Sequence, residues 1–127
     1  MLLDTHIVLW ALATPERLGR WQELIANPET TRMVSAVVVW EVAIKVALDR
    51  LHLPMPVREW ADSARRDLAA VSVPITAAHA AAVADLPLHH RDPFDRLLVA
   101  QARDLGVPIA TADPALSAYD VTVVEIG

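Results

Sequence analysis

Cysteine is absent from this sequence of 127 residues, which excludes a disulfide framework and a thiolate zinc site. That composition suits the cytoplasm, the expected location. Glycine is nearly as scarce, with three residues and no P-loop arrangement among them, so a nucleotide-binding module is a poor reading. Long hydrophobic runs are missing too. Stretches such as Val37–Trp40 are far too short to span a bilayer, and no membrane association is expected. The start M-L-L-D-T-H has no basic leader and meets an acid at Asp4, so it does not read as a signal peptide. Basic charge is also in short supply. The net charge is −5, which argues against a protein that coats nucleic acid with a basic surface. It leaves room for an enzyme that grips a phosphate chain locally, through metal ions and a few arginines. Lys45 is the one lysine among eleven basic residues.

What is present is apolar and ordered. Hydrophobic residues make up 54%, too many for a disordered chain, and the length suits one domain, residues 1–127, with a sound core. No repeat, linker or low-complexity segment interrupts it. Strands are expected at Met1–Leu3, Arg32–Ala36, Ala70–Val73, Val107–Thr111 and Val121–Ile126. Helices are expected at His6–Ala13, from Pro15 to about Ala26, at Val37–Leu48 and at about Val57–Leu68. Two more are expected from Thr76 as cap to Ala84, and from Pro93 to Leu105 with Gly106 as the stop. Short apolar strands alternating with helices imply an α/β fold, with a central, mainly parallel sheet covered on both faces. Ligands in such folds bind beyond the carboxyl ends of the strands. Asp4 and Asp113 each follow a strand and belong on that edge.

Five acids, Asp4, Glu41, Asp92, Asp95 and Asp113, are candidates for chemistry, and each has an ordinary structural alternative. In H-H-R-D-P-F-D-R-L-L (89–98), Asp92 precedes Pro93 and an apolar helix, the pattern of an N-cap with proline at the first position. Asp95 falls at the third helical position, where an acid either closes a capping box or favours the helix dipole. Glu41 stands four residues before Lys45, an arrangement that forms ion pairs. Its neighbours are so apolar that it requires a partner. Asp4 and Asp113 also suit turns, and Asp113, before Pro114, suits a cap on a short helix near Ala115. Together they are harder to explain structurally. Carboxylates about 5 Å apart repel by roughly 3 kcal/mol per pair at an effective dielectric of about 20. A cluster therefore needs protons, arginines or a divalent metal, and ligation by oxygen alone suits Mg²⁺ or Mn²⁺ rather than zinc. His89 and His90 are adjacent and point apart, a loop feature rather than a ligand pair, and His6 is a weaker candidate for substrate contact. A phosphoacceptor receiver domain is the rival enzyme class. It needs a lysine after a late strand, and Lys45 is on the Glu41 helix. Trp10, Trp21, Trp40 and Trp60 lie on expected helices and read as core, the alternative being an apolar groove for a partner helix or a second subunit.

Four blocks in order, L-L-D-T-H, S-A-V-V-V-W-E-V-A-I-K (35–45), L-P-L-H-H-R-D-P-F-D-R-L-L-V-A-Q-A (86–102) and I-A-T-A-D (109–113), span nearly the whole chain. Through them the sequence resembles the PIN-domain family, and in particular the VapC-like toxins of bacterial toxin–antitoxin pairs. The resemblance implies a single PIN domain with a three-layer α/β/α fold. It implies a ribonuclease dependent on Mg²⁺, with Mn²⁺ substituting, that acts on RNA, forms a homodimer and is restrained by a cognate antitoxin. Asp4, Glu41, Asp95 and Asp113 match the family's acidic quartet, and Thr5 and Thr111 match hydroxyl positions beside it. Asp92 matches the lead-in of a D-P-F-D-R subgroup and not the quartet.

The expected division is therefore one cap, Asp92, and one catalyst, Asp95, which the helix N-terminus should keep ionised. Asp4 and Asp95 are expected to hold the principal metal, with Asp113 and Glu41 completing the site directly or through water. Either Glu41 or Asp113 is expected to orient the attacking water. Arg96 and Lys45 are expected at the phosphate, the alternative being ion pairs with the same acids. The non-enzyme alternative is a PIN-like scaffold that binds RNA or a partner without cleaving it.

Overall fold

A computed structural model describes residues 1–127. Its strands are β1 (Leu2–Leu3), β2 (Met33–Ser35), β3 (Val71–Val73), β4 (Ile109–Thr111) and β5 (Val123–Glu125). They form one sheet in the order β3-β2-β1-β4-β5, every pairing parallel. Successive strand residues point to opposite faces. Leu2 and Leu3, and Ile109, Ala110 and Thr111, are nevertheless all fully buried, so both faces are covered and the architecture is the three-layer α/β/α one. From β1 the chain steps outward to β2 and β3, then returns to place β4 on the other side of β1. The crevice beyond the carboxyl ends of β1 and β4 is thus the topological switch point, where α/β sheets bind ligands.

The helices are α1 (Thr5–Ala13), α2 (Gln22–Ala26), α3 (Ala36–Ala47), α4 (Val57–Asp67), α5 (Ala77–Ala82) and α6 (Pro93–Leu105). Most start on a residue chosen for it. Ser35 Oγ accepts from Val37 N at 3.0 Å to open α3. Thr76 and His79 close a reciprocal capping box on α5, and Gly106, at φ 66°, ends α6 in the left-handed conformation. No helix is long and apolar enough to cross a membrane.

The expected continuous helix from Pro15 to Ala26 is two pieces. Pro15–Trp21 is 3-10, and Gly19 at φ 55° and ψ −131° interrupts it before α2 begins. Arg32, expected to begin β2, lies just before it. Its buried guanidinium donates to the carbonyls of Ile25, Asn27 and Leu68, which ties the end of α2 to the end of α4. Of the tryptophans expected in the core, Trp60 is buried, and Trp10 and Trp21 pack partly against it. Trp40 is the exception, 49% exposed, with its ring edge-on to Phe94 at 4.8 Å. α3 buries Val37, Val38, Glu41 and Val42, which leaves Trp40 on the opposite side.

A buried polar tie sets α6 against the sheet's carboxyl edge. Ser35 Oγ donates to Gln101 Oε1 at 2.5 Å, and Gln101 Nε2 donates to the Pro74 carbonyl at 3.2 Å. The end of β2, the loop after β3 and the middle of α6 are held in one network. The N-terminus of α6, with Asp92 and Asp95, is thereby brought to the switch point.

Candidate metal centre

Asp4 leaves β1 and caps α1, its Oδ1 accepting from Ile7 N at 3.0 Å. The residue is 4% exposed. Burial raises its pKa, while the Thr111 hydroxyl and the Ile7 N–H offset part of the rise, and the charge of Glu41 adds to it. Glu41 is equally buried and both of its oxygens are engaged. Thr5 Oγ1 donates to Oε1 at 2.7 Å, and Lys45 Nζ meets Oε2 at 2.5 Å. On a helix this apolar, those two donors satisfy the buried carboxylate, which lies behind the cleft's lining rather than in it.

Asp92 is the N-cap of α6. Its Oδ1 accepts from Phe94 N at 2.9 Å, with Pro93 following. Asp95, one turn in, accepts no main-chain hydrogen bond. Its carboxylate lies 3.3 Å from His90 Nε2 and faces a cleft of about 460 Å³ that is also lined by Asp4, His6, Trp10, His90, Asp92 and Asp113. Burial and the neighbouring carboxylates work against the expected effect of the helix N-terminus on Asp95. Burial first, then the charges of Asp92 and Asp4, push its pKa up to about 7, with Glu41 adding and His90 opposing. A dipole effect of about 0.3–1 kcal/mol is too small to outweigh burial and those charges.

Asp113 follows β4 and caps the 3-10 turn Pro114–Ala118, Oδ1 accepting from Ala115 N at 2.9 Å. Oδ2 sits 2.7 Å from His90 Nε2. The Ala115 N–H, and then His90, hold this carboxyl below the usual range. Thr111 Oγ1 accepts from Asp113 N at 3.0 Å, so the hydroxyl braces the turn that carries the acid.

Sequence reasoning missed His90. Read as a loop feature, it is instead the imidazole that joins two of the acids: its ring and the carboxylates of Asp95 and Asp113 offer ligand atoms within 4.8 Å of one another. The hydrogen bond with Asp113 raises its pKa against a smaller opposing effect of burial. His89 does point away, stacking edge-on against Tyr119 at 5.0 Å. The one sequence signal available was an imidazole two residues before an Asp-Pro cap, too short a pattern to specify where the ring goes.

The residues expected to contact phosphate are occupied within the protein. Lys45 pairs with Glu41, the alternative weighed from the sequence. Arg96 does neither thing expected of it. Its guanidinium donates to the carbonyls of Val83 and Leu86 at 3.1 and 3.3 Å and reaches that of His90 at 3.5 Å. It is spent pinning the loop that carries His90. Thr5 serves Glu41, and Thr111 serves both Asp4 and the Asp113 turn.

The donor set is therefore oxygen-rich, with Asp4 and Asp95 both raised in pKa at the cleft and His90 the one nitrogen grouped with two of the acids. A divalent ion would relieve the repulsion in such a cluster, and mainly oxygen donors suit a hard one.

Comparison with known proteins identifies the family and the fold. The sequence profile of the family described as PIN domain matches residues 1–121. Ribonuclease VapC22 of Mycobacterium tuberculosis is 30% identical over 120 residues, which cover 94% of this chain and 91% of that protein. Among solved structures, VapBC2 from Rickettsia felis, bound to a DNA fragment from its promoter, matches with a TM-score of 0.70 at 15% identity over 99% of this chain and 98% of that one. FitAcB from Neisseria gonorrhoeae matches with a TM-score of 0.65 at 23% identity, covering 98% and 96%. At those identities the solved structures speak for the fold alone.

Proposed function

Because this chain belongs to the PIN-domain family, we propose that it is a metal-dependent endoribonuclease, the toxin of a toxin–antitoxin pair, which hydrolyses RNA phosphodiester bonds. The observation that carries this is the convergence of Asp4, Asp95 and Asp113 on one cleft at the sheet's switch point, with Glu41 electrostatically coupled to Asp4 and Asp95. The relative named as a ribonuclease, similar over 94% of this chain, supports the same chemistry.

Asp4 and Asp95 would hold the ion, Mg²⁺ with Mn²⁺ as a substitute. Asp95 has no main-chain donor to satisfy it, and its raised pKa marks a carboxylate whose ionised form a bound cation would favour. Asp113 and Glu41 have both oxygens engaged by donors and are better suited to accept from a bound water than to ligate directly. Either one can orient a water for in-line attack on the scissile phosphate. When bound, the ion would polarise the phosphate and lower the pKa of that water towards neutrality. Asp92 takes no part in this; it starts the helix that presents Asp95.

Two further features belong with this assignment. An antitoxin partner is supported by the kinship with VapC proteins, and a basic side chain on its tail would suit the acidic cleft. A homodimer is the expected oligomeric state.

Purified chain incubated with labelled single-stranded RNA tests the activity. Cleavage should require Mg²⁺ or Mn²⁺ and stop in chelator. A chain that binds RNA yet never cleaves it in either metal would point to the scaffold alternative instead.

A further inference from the structure

Asp95 is free to face the cleft for a reason that lies outside its own helix turn. A hydrogen-bonding side chain at the third position of a helix can reach back to the main-chain N–H of the N-cap residue and close a capping box. α5 shows that box in this same chain: Thr76 N donates to the side chain of His79, its third residue, at 3.2 Å, and His79 N donates back to Thr76 Oγ1 at 3.1 Å. In α6 the corresponding N–H belongs to Asp92, and the corresponding side chain is Asp95. The Asp92 N–H does not go to Asp95. It donates to His90 Nδ1 at 2.9 Å.

We propose that His90 is a positioning residue: by accepting the Asp92 N–H, it denies Asp95 the capping-box bond and leaves that carboxylate directed into the cleft. The arrangement also fixes the imidazole tautomer. With Nδ1 acting as acceptor, the proton is on Nε2, which therefore donates to Asp113 at 2.7 Å and lies 3.3 Å from Asp95. A nitrogen that carries a proton does not ligate a metal, so His90 supports the ligands rather than joining them. The ring is held to this task from several sides. Tyr119 OH accepts from His90 N at 2.9 Å, and Arg96 grips the carbonyls of Val83, Leu86 and His90. Arg96, adjacent to Asp95 in sequence, thus acts on it through the loop.

This inference rests on Asp95 being a metal ligand, and two substitutions of the full-length chain separate it from that premise. His90→Ala removes the acceptor and lets Asp95 fall back onto the Asp92 N–H. His90→Asn restores an acceptor, because an Asn side chain bonds the main-chain N–H two residues on, but it is too short to reach Asp113. Mn²⁺ affinity, read by calorimetry, should fall about 10–100-fold in His90→Ala, and His90→Asn should recover most of the loss. Wild-type affinity in His90→Ala overturns the inference, and so does equal weakening in both variants. A wild-type chain that binds no Mn²⁺ removes the metal-site premise, and the inference falls with it. Should His90→Ala fail to fold, nitrogen-15 NMR of histidine-labelled wild-type chain decides above the imidazole's titration range. A proton on Nε2, retained with Mg²⁺ added, is expected; a proton on Nδ1, or loss of the Nε2 proton on adding Mg²⁺, overturns the assignment.

Discussion

Replacing Asp95 with Asn keeps the shape of the side chain and removes one negative charge from the acidic cluster, so stability and function should move in opposite directions. In the folded, metal-free chain Asp95 titrates at about 7 rather than at the ordinary 3.8, because it is buried and faces Asp92, Asp4 and Glu41. At about 1.4 kcal/mol per pH unit, ionising it above neutrality costs the fold up to about 4 kcal/mol. Partial exposure and the lost interaction with the helix dipole reduce the expected gain in Asp95→Asn to about 1–3 kcal/mol. For a domain of this size that is about 4–12 °C in Tm.

The pH dependence has a definite sign. Asp95 holds its proton more tightly folded than unfolded, so its contribution is fully present below about 4 and is lost as pH rises through about 7. Wild-type chain in chelator should therefore lose stability across that window, and Asp95→Asn should lose less. Mn²⁺ at about a hundred times its Kd should then raise wild-type stability by about 2.7 kcal/mol and the variant far less, which narrows or inverts the order of melting. Thermal melts of both chains, with chelator and with Mn²⁺ at several pH values, measure all of this. An Asp95→Asn chain that is less stable than wild type in chelator at every pH, or that gains as much from Mn²⁺, would refute the reasoning.

Asp92→Ala should cost about 0.5–2 kcal/mol through the lost cap, whereas Asp92→Asn should be nearly neutral in stability because Asn caps as well. Asp92→Asn should also lower the pKa of Asp95, whose rise owes part to that charge, and NMR titration of the Asp95 carboxyl checks it. Lys45→Met strips the buried Glu41 of its counter-charge. With Lys45 37% exposed the expected loss is about 1–2 kcal/mol by denaturant melt, well below that for a fully buried pair. Gly106→Ala forces a left-handed residue at φ 66° and should lower stability by about 1 kcal/mol, with no effect on Mn²⁺ affinity. A structure of the chain with its antitoxin should place an Arg or Lys near Asp4 and Asp95; an uncharged tail there would remove the electrostatic part of that expectation.

Features encoded by local chemistry were legible in the sequence. The Asp92–Pro93 cap depends on adjacent residues, and the Glu41–Lys45 pair on one helical turn. Asp4 and Asp113 were placed on one edge because both follow buried parallel strands, whatever the details of the loops. What escaped depends on contacts between distant segments or on one backbone angle. Gly19 breaks an apparently continuous helix through a left-handed φ that composition does not announce. Trp40 lies on the solvent side of α3 because Val37, Val38, Glu41 and Val42 take the buried side. Arg96 sits beside an acid in sequence, yet turns to carbonyls ten and thirteen residues back. His90 reaches Asp113 across twenty-three residues, a meeting that only the packed fold arranges. Capping and catalysis were also weighed as alternatives, whereas Asp4 and Asp113 each cap with one oxygen and present the carboxylate to the cleft as well.

The central claim is that these acids hold a divalent ion which enables RNA cleavage. The most direct test is single-turnover cleavage of labelled single-stranded RNA by wild-type and Asp95→Asn chains purified side by side, first in chelator and then with Mn²⁺ restored. Cleavage by wild type that disappears in chelator and returns with Mn²⁺, with none from Asp95→Asn in either condition, is the predicted result. Equal cleavage by both chains, or wild-type cleavage undiminished in chelator, would contradict it.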